Sequence, residues 1–482
     1  MNTSLKKRYS TNLSLLTDLY QLTMAYGYWK AGRTAEQAVF HLFFRKTPFD
    51  GSFALAAGLE DVVHWLQQWQ FTESDIAYLA TLQDHQNQAL FEQGFLDYLS
   101  QLSFTGILYA IPEGTVVFAH QPLIRIQAPL IEAQLIETAL LTLVNFPTLI
   151  ATKAARIVQA AQGDAVLEFG LRRAQGIDGG LTASRAAYIG GCAATSNVLA
   201  GQIYGIPVKG THSHSWVMSF DQEQDAFEAY ARALPDNCIF LVDTYNTKKG
   251  ILTAIQIGQQ LEADGHAFLG IRLDSGDLLQ LSQYARQELD AAGLEQAQIV
   301  ASDGLDEYKI QALKEAGSPI AVWGVGTNLV TAQHQPSLGG VYKLAAIQKA
   351  AEQPWQYKIK VSEDALKIST PGILQVRRYF LSDGQPFGDM IWNSVQDTPL
   401  QSLKSFDGRT VVVQARAYED LLRPILNHQK LLYDLPSLSS IRQHAQNQLA
   451  LFQKVDFKWY PIGLESTLQQ LKLNLLQPYF KT

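Results

Sequence analysis

The apolar positions of this 482-residue chain change their period along its length. Near the start, TDLYQLTMAYGYWKAG has apolar residues at helical spacing, with Thr17 or Asp18 at its beginning and Gly32 at its end, and predicts an amphipathic helix. AVFHLFFRKTPF alternates as a strand does, FALAAGLEDVVHWLQQW returns to a helical period, and LYAIPEGTVVFAHQPLIRIQAP predicts short strands broken by Pro and Gly. Residues 1–128 are therefore expected to form an α+β domain.

From about 130 to 350 strand-like runs alternate with helical segments. The runs are AVLEFGLR, IPVKGTHSH, CIFLVDTY, AFLGIRLD, AQIVASDG, IAVWGVGT and GVYKLAA. Helical segments such as ASRAAYIGGCAATSNVLAGQIYG and ILTAIQIGQQLEADG lie between them, the spacing that βα units require. Seven short apolar bodies fit a closed or nearly closed barrel over residues 129–370 better than an open sheet. In the last hundred residues GILQVRRYFL and GRTVVVQARAY read as strands, with Asp407-Gly408 a hairpin turn and a helical tail after them. Residues 371–482 are expected to pack back on the first domain.

The polar residues gather at the C-terminal ends of successive runs: Arg172 and Arg173, His212 and His214, Asp243, Arg272 and Asp274, Asp303, then Gly324, Gly326 and Thr327. A (β/α) barrel opens its active site on that face, whereas residues serving stability alone would be scattered over both rims. One site built by many strands is the expectation.

Composition narrows the classes. Apolar residues make up 47% of the chain and charged ones 17%, the profile of a compact globular protein. A net charge of −7 gives no bulk attraction to nucleic acid, though a local pocket can still be basic. Cys192 and Cys238 stand in no metal or redox spacing, which points to a reducing compartment. MNTSLKKRYS is followed by polar-studded TNLSLLTDLYQLTM and does not read as a signal peptide, and no run of about 18 apolar residues occurs. The expectation is a cytoplasmic protein with neither a nucleic-acid nor a membrane partner.

Four stretches carry candidate chemistry. GVGT, Gly324 to Thr327, lets backbone N–H groups approach a phosphate, or is a tight turn only. RLDSGDL places Arg272 and Asp274 at i, i+2, on one face of a strand end, with Asp277 a helix cap. EFGLRRAQGIDGG offers Phe169 as an aromatic wall beside Arg172 and Arg173, whose planar forks suit carboxylate or phosphate. GIPVKGTHSHSW puts His212 and His214 on one face if it is a strand. As a metal pair they would need further ligands, yet no histidine ends a later run: His266 begins one and His334 lies in a loop. The other readings have one histidine packing and one acting as a nucleophile held by a carboxylate such as Asp243.

Taken together, TDLYQLTMAYGYW, FRKTPFDGSFALAAGLEDV, EFGLRRAQGIDGGLTASRAAYIGGCAATSNVLAG, IPVKGTHSHSWV, LVDTYNT, RLDSGDL, GVGTNLVT and GGVYKLA resemble the nicotinate phosphoribosyltransferases, in order, over about residues 14–345. The resemblance implies the type II phosphoribosyltransferase fold: α/β, an irregular (β/α) barrel with an α+β domain built from the N-terminal and C-terminal segments. It implies an ATP-dependent, ligase-type enzyme of NAD biosynthesis. Nicotinate and phosphoribosyl pyrophosphate would give nicotinate mononucleotide and pyrophosphate, with Mg²⁺ as cofactor and ATP as co-substrate phosphorylating one histidine. It also implies a homodimer with shared active sites.

The family's Gly-Thr-x-x-His-x-aromatic pattern, laid on Gly210, Thr211, His214 and Trp216, makes His214 the phosphorylated residue and leaves His212 to pack or support. The same resemblance implies that Phe169 and Tyr20 of the partner subunit sandwich the pyridine ring. Arg172 would meet the nicotinate or ribosyl end, Arg272 with Asp274 would frame base and ribose, and Asp243 would orient His214. Gly324, Gly326 and Thr327 would hold the 5′-phosphate, and Arg45 and Lys46 would meet pyrophosphate or ATP; no side chain is implied as a resident metal ligand. Two alternatives stand beside this reading: a nicotinamide phosphoribosyltransferase with the same barrel, and a zinc-dependent barrel hydrolase.

Overall fold

A computed structural model of the chain describes residues 13–364, 367–414 and 417–479. MNTSLKKRYS and residues 415 and 416 of the expected strand GRTVVVQARAY lie outside them. The fold divides into two units, with chain boundaries at 148/149 and 336/337.

In the unit spanning 149–336 the apolar runs become β1 (Ala165–Glu168), β2 (Ala194–Thr195), β3 (Ile239–Leu241), β4 (Gly270–Leu273), β5 (Gln298–Ala301) and β6 (Val322–Val325). They form one parallel sheet in the order β2-β1-β6-β5-β4-β3. Parallel strands covered on both faces need apolar side chains at successive positions, and all four residues of β6 are buried accordingly. Gly270 opens β4 at a φ of +141°, where a Cβ would overlap the carbonyl of Gln298, so the approach of β4 to β5 there requires glycine. Asn197, Asn246, Asp277 and Asp306 each cap the following helix by accepting from the N–H three residues on. Asp277 is thus the cap that its position predicts.

Two of the seven expected staves are corrected. IPVKGTHSH is not a strand of this sheet: Val208 makes a single parallel bridge to Thr195 and the chain then leaves the ladder. Across the gap to β3, His212 Nε2 accepts the Leu241 N–H at 3.2 Å, so a side chain closes the barrel where a strand would otherwise pair. GVYKLAA forms Gly340–Gln348, which pairs antiparallel with Gln37–Phe44 outside the barrel. An apolar run reads alike for either sheet, and only pairing tells them apart.

By that pairing residues 337–370 group with the first unit. The helix Leu130–Leu135 likewise packs on Leu19–Lys30 and Gln37–Phe44 and groups with the first unit. In this first unit the C-terminal strand Arg423–Asn427 pairs with Ile107–Ala110, so the two ends of the chain build one α+β unit. A second, six-stranded sheet lies between residues 374 and 465, with Asp407-Gly408 turning Ser402–Ser405 into Thr410–Val412.

The helix Glu137–Ala160 has the length and composition to cross a membrane, but 67% of its most apolar window is buried inside the chain. Lys153 on it is fully buried and pairs with Glu307 at 2.6 Å, the arrangement of a core helix that must compensate an interior charge.

Candidate active site

The strand ends of the 149–336 unit surround a cavity of about 490 Å³ lined by Phe169, Arg172, Thr211, His212, Arg272, Asp274, Ser302, Asp303, Gly324, Gly326 and Thr327 among others. Each follows or ends a parallel strand or the bridging segment, so the cavity occupies the rim that the polar pattern predicts.

Phe169 leaves β1 and lies against Gly324, where a Cβ would come within 2.7 Å of its ring. This is a reason for glycine that the sequence did not reveal: Gly324 seats the aromatic wall, and Gly326 and Thr327 stand beyond it at the rim. Behind the wall, Glu168 is buried and accepts from Gly170 N–H, Ser184 Oγ at 2.9 Å and Thr195 Oγ1 at 2.6 Å. It ties β1, β2 and the helix Gly176–Ile189 together under the site. A single acidic residue inside an apolar run is its whole signal in the sequence.

Arg172 sits exposed in the turn Leu171–Arg173, and no described hydrogen bond or ion pair holds its guanidinium. Arg272 is mostly buried, donates to Thr211 Oγ1, and reaches Asp274 Oδ1 only at 3.8 Å; its Nε has no partner. Burial lowers the pKa of Arg272, and the positive charge of Arg172 adds to that lowering against the opposing pull of Asp274 and Asp243. Two cations that repel across one cavity, one without an acid, make a site ready for an anion.

His212 and His214 part company. His212 is 7% exposed, packs edge-on to Tyr230 at 5.0 Å, and is held down at about 4, first by burial. Because its Nε2 accepts from Leu241 N–H, the proton of the neutral ring belongs on Nδ1, which faces Ser213 O at 3.4 Å. Both nitrogens are engaged, and among the described residues no group of three His, Cys, Asp or Glu side chains is placed to hold a metal ion. His214 begins the short helix His214–Met218, with its side chain 40% exposed. Its Nδ1 lies 3.2 Å from Thr244 Oγ1 and its Nε2 3.6 Å from Asp274 Oδ2.

Asp243 does not contact His214, contrary to the expectation. Its Oδ2 accepts Asp274 N–H at 2.9 Å and Ser275 Oγ at 2.6 Å, which fixes the turn after β4 and so places Asp274 before His214. Strand-end proximity suggested the contact; a neighbouring turn with two donors takes the carboxylate instead. Asp303, also on the rim, holds a φ of +105°, a conformation that glycine favours, with its carbonyl bound by Lys309 Nζ at 2.8 Å.

Tyr20, Arg45 and Lys46 belong to the other unit and are not among the residues lining this cavity. Tyr20 is 49% exposed on the helix Leu19–Lys30. Arg45, at the end of Gln37–Phe44, lies among cations that the sequence reading missed: its charge lowers the pKa of His120, with Lys472, and of Lys343, with Lys360, in each case after burial. These residues are scattered from 45 to 472 and share no motif.

Comparison with known proteins decides the family. The N-terminal domain of nicotinate phosphoribosyltransferase matches residues 15–145, the nicotinate phosphoribosyltransferase family residues 165–375, and the C-terminal domain residues 374–472. The chain belongs to the nicotinate phosphoribosyltransferase family. It is 44% identical over 447 residues to the Bacillus subtilis (strain 168) nicotinate phosphoribosyltransferase, covering 91% of this chain and 89% of that one. With the Homo sapiens nicotinate phosphoribosyltransferase it shares 38% over 497 residues, covering 90% of each. The crystal structure of human nicotinic acid phosphoribosyltransferase superposes with a TM-score of 0.81 at 35% identity, over 95% of this chain and 99% of that one. A Pyrococcus furiosus nicotinate-nucleotide pyrophosphorylase, at 21% identity and a TM-score of 0.70 over 92% and 97% of the two chains, shares the fold.

Proposed function

We propose that the enzyme transfers a phosphoribosyl group from phosphoribosyl pyrophosphate to nicotinate for NAD biosynthesis, coupled to ATP hydrolysis through a phosphate carried on His214. The observation that carries this reading is the cavity in which Arg172 and Arg272 repel one another beside Phe169, with Asp274 and an accessible His214 on the same rim.

The new C–N bond forms as pyrophosphate leaves a ribosyl carbon with oxocarbenium character, so the protein's task is orientation and charge placement. Phe169 stacks on the pyridine, Arg172 meets its carboxylate, and Arg272 with Asp274 holds base and ribose. The nicotinate ring nitrogen needs no deprotonation, so no general base is required. Gly326 and Thr327, with Gly324 behind them, receive the 5′-phosphate. The cationic cluster of Arg45, Lys343, Lys360 and Lys472, with Lys46 exposed nearby in sequence, serves pyrophosphate or ATP. Mg²⁺ would neutralise the departing phosphates. Asp274 is already engaged by Ser302 and Arg272 and offers no all-protein cage, which suits an ion carried on polyphosphate and water.

A homodimer belongs to the same reading, with Tyr20 of the partner subunit covering the pyridine. Val198, Leu199 and Ile203 of the helix Val198–Tyr204, with Val208 beside them, expose an apolar patch that a second copy would cover. The cytoplasmic location is supported by Cys192 and Cys238, both buried and outside any disulfide.

The test is to incubate the full chain with nicotinate, phosphoribosyl pyrophosphate, Mg²⁺ and ATP, with nicotinamide as a competing base. Nicotinate mononucleotide, ADP and acid-labile phosphate on the protein are expected together. Equal use of nicotinamide would overturn the acid selectivity, and a rate indifferent to ATP without phosphoprotein would overturn the coupling.

A further inference from the structure

Phe169, Arg172 and Ser196 line the cavity from the ends of two strands, and all three are anchored to one buried side chain that is not part of the lining. Glu168 ends β1 immediately before Phe169 and is 1% exposed. Its Oε1 accepts the N–H of Gly170, two residues along the same chain, and so bends the strand end into the turn Leu171–Arg173. Its Oε2 accepts Ser184 Oγ at 2.9 Å, from the helix Gly176–Ile189, and Thr195 Oγ1 at 2.6 Å, from β2. Its backbone carbonyl accepts the Ser196 N–H at 2.9 Å. The three side-chain partners are neutral donors from three different segments, and only a carboxylate has acceptor sites for all of them.

We propose that Glu168 is a positioning residue for the nicotinate pocket, its side chain fixing the Phe169 wall, the Arg172 turn and Ser196 relative to one another. The proposal rests on the reading of Phe169 and Arg172 as the residues that meet the pyridine ring and its carboxylate. Glu168 touches no substrate and acts through the segments it binds. The chain at Gly170 is held from two sides: a Cβ there would overlap Val330 on the helix Thr327–Val330, and Glu168 holds the N–H. Phe169 between them donates its N–H to Val325 O at 2.8 Å and lays its ring on Gly324. Little freedom is left to the wall while the carboxylate is in place.

The same bonds reach past Ser196. Thr195 Oγ1, while donating to Glu168, accepts the Asn197 N–H at 3.0 Å, and Ser184 Oγ accepts from Asn197 Nδ2 at 3.2 Å. Asn197 Oδ1 in turn accepts the Ala200 N–H at 3.2 Å and caps the helix Val198–Tyr204. Ser196 thus stands between two residues of one buried network. Such a network acts as a unit, and removing one acceptor leaves buried donors unpaired. Residues that only orient the base hold it alike before and during the reaction, so their displacement raises KM for nicotinate and leaves kcat nearly unchanged. Gly326 and Thr327, which follow β6, are bound by none of the Glu168 side-chain hydrogen bonds, so phosphoribosyl pyrophosphate should be indifferent to the change.

Glu168→Gln keeps the shape but turns an NH₂ group toward donors; Thr195→Val removes one donor, and Thr195→Ser keeps it. In steady-state formation of nicotinate mononucleotide, E168Q and T195V are each expected to raise KM for nicotinate about tenfold, with kcat and KM for phosphoribosyl pyrophosphate within about twofold of wild type. T195S should match wild type in all three. Equal rises in KM for both substrates, a loss confined to kcat, or a T195S chain as impaired as T195V would overturn the proposal, as would an unchanged KM for nicotinate. If E168Q does not fold, the T195V and T195S pair decides alone. If the wild-type chain makes no nicotinate mononucleotide, the functional reading has failed by itself, and calorimetric titration with nicotinate decides the positioning. Binding about tenfold weaker in T195V than in wild type and T195S supports it, and equal or absent binding overturns it.

Discussion

Arg378–Asp389 and Arg272–Asp274 are arginine–aspartate pairs of opposite character. In the first unit Arg378 and Asp389, 1% and 0% exposed, meet fork to fork at 2.9 and 2.7 Å. Tyr460 and Gln121 complete the carboxylate at 2.6 and 2.7 Å, and Val116 O and Gln448 Oε1 take further guanidinium protons. In the barrel unit Arg272 and Asp274 stand 3.8 Å apart, with Arg272 Nε unpartnered. Burial disfavours charge on both arginines, but Asp389 more than offsets it and raises Arg378, whereas Arg272 is left lowered. A buried pair with both carboxylate oxygens and four guanidinium N–H groups bonded specifies a core; the pair beside the cavity is held apart and leaves Arg272 Nε without a partner.

The largest effect should fall on the open side. His214→Ala is expected to abolish ATP coupling and acid-labile phosphorylation, leaving slow ATP-independent transfer, with the urea midpoint close to wild type because His214 is half-exposed. Phosphohistidine found on an intact H214A chain would reassign the nucleophile. On the closed side, Asp389→Asn strands a buried guanidinium and should cost about 3–5 kcal/mol of stability. Below its midpoint the variant should keep wild-type KM for nicotinate. A loss under about 1 kcal/mol would mean that the buried network is not what distinguishes the two pairs.

Much of this was legible in the sequence, for definite reasons. A parallel strand buried on both faces confines its polar residues to its ends, so Arg172, Arg272, Asp274, Gly326 and Thr327 announced one rim before any coordinates. What pairing alone decides was not legible: Gly340–Gln348 reads as one more barrel strand and joins the antiparallel sheet instead. The HSH segment alternates like a strand, yet Gly205 at a φ of +69° and the helix starting at His214 break the alternation. Asp243 was assigned to the right rim and the wrong partner, because the sequence gives strand ends and not the donors of a neighbouring turn. Glu168 and the scattered cations around Arg45 have no motif at all; their meaning comes from burial and neighbours.

The smallest of these effects separates the two histidines of the same segment. His212→Ala removes the acceptor of the Leu241 N–H at the barrel seam and the ring packed on Tyr230. An unsatisfied buried donor costs about 1–3 kcal/mol, and the loss should appear in the urea midpoint while phosphate incorporation at His214 persists. The pH dependence has a definite sign. The folded pKa of His212 is lowered to about 4, so the stability tied to its neutral ring is fully present above the ordinary histidine range and is lost as pH falls toward 4. The gap between wild type and H212A should therefore be widest at neutral pH and narrow on acidification. A gap that is constant with pH, or loss of phosphorylation in a folded H212A chain, would move His212 from the seam of the barrel to its chemistry.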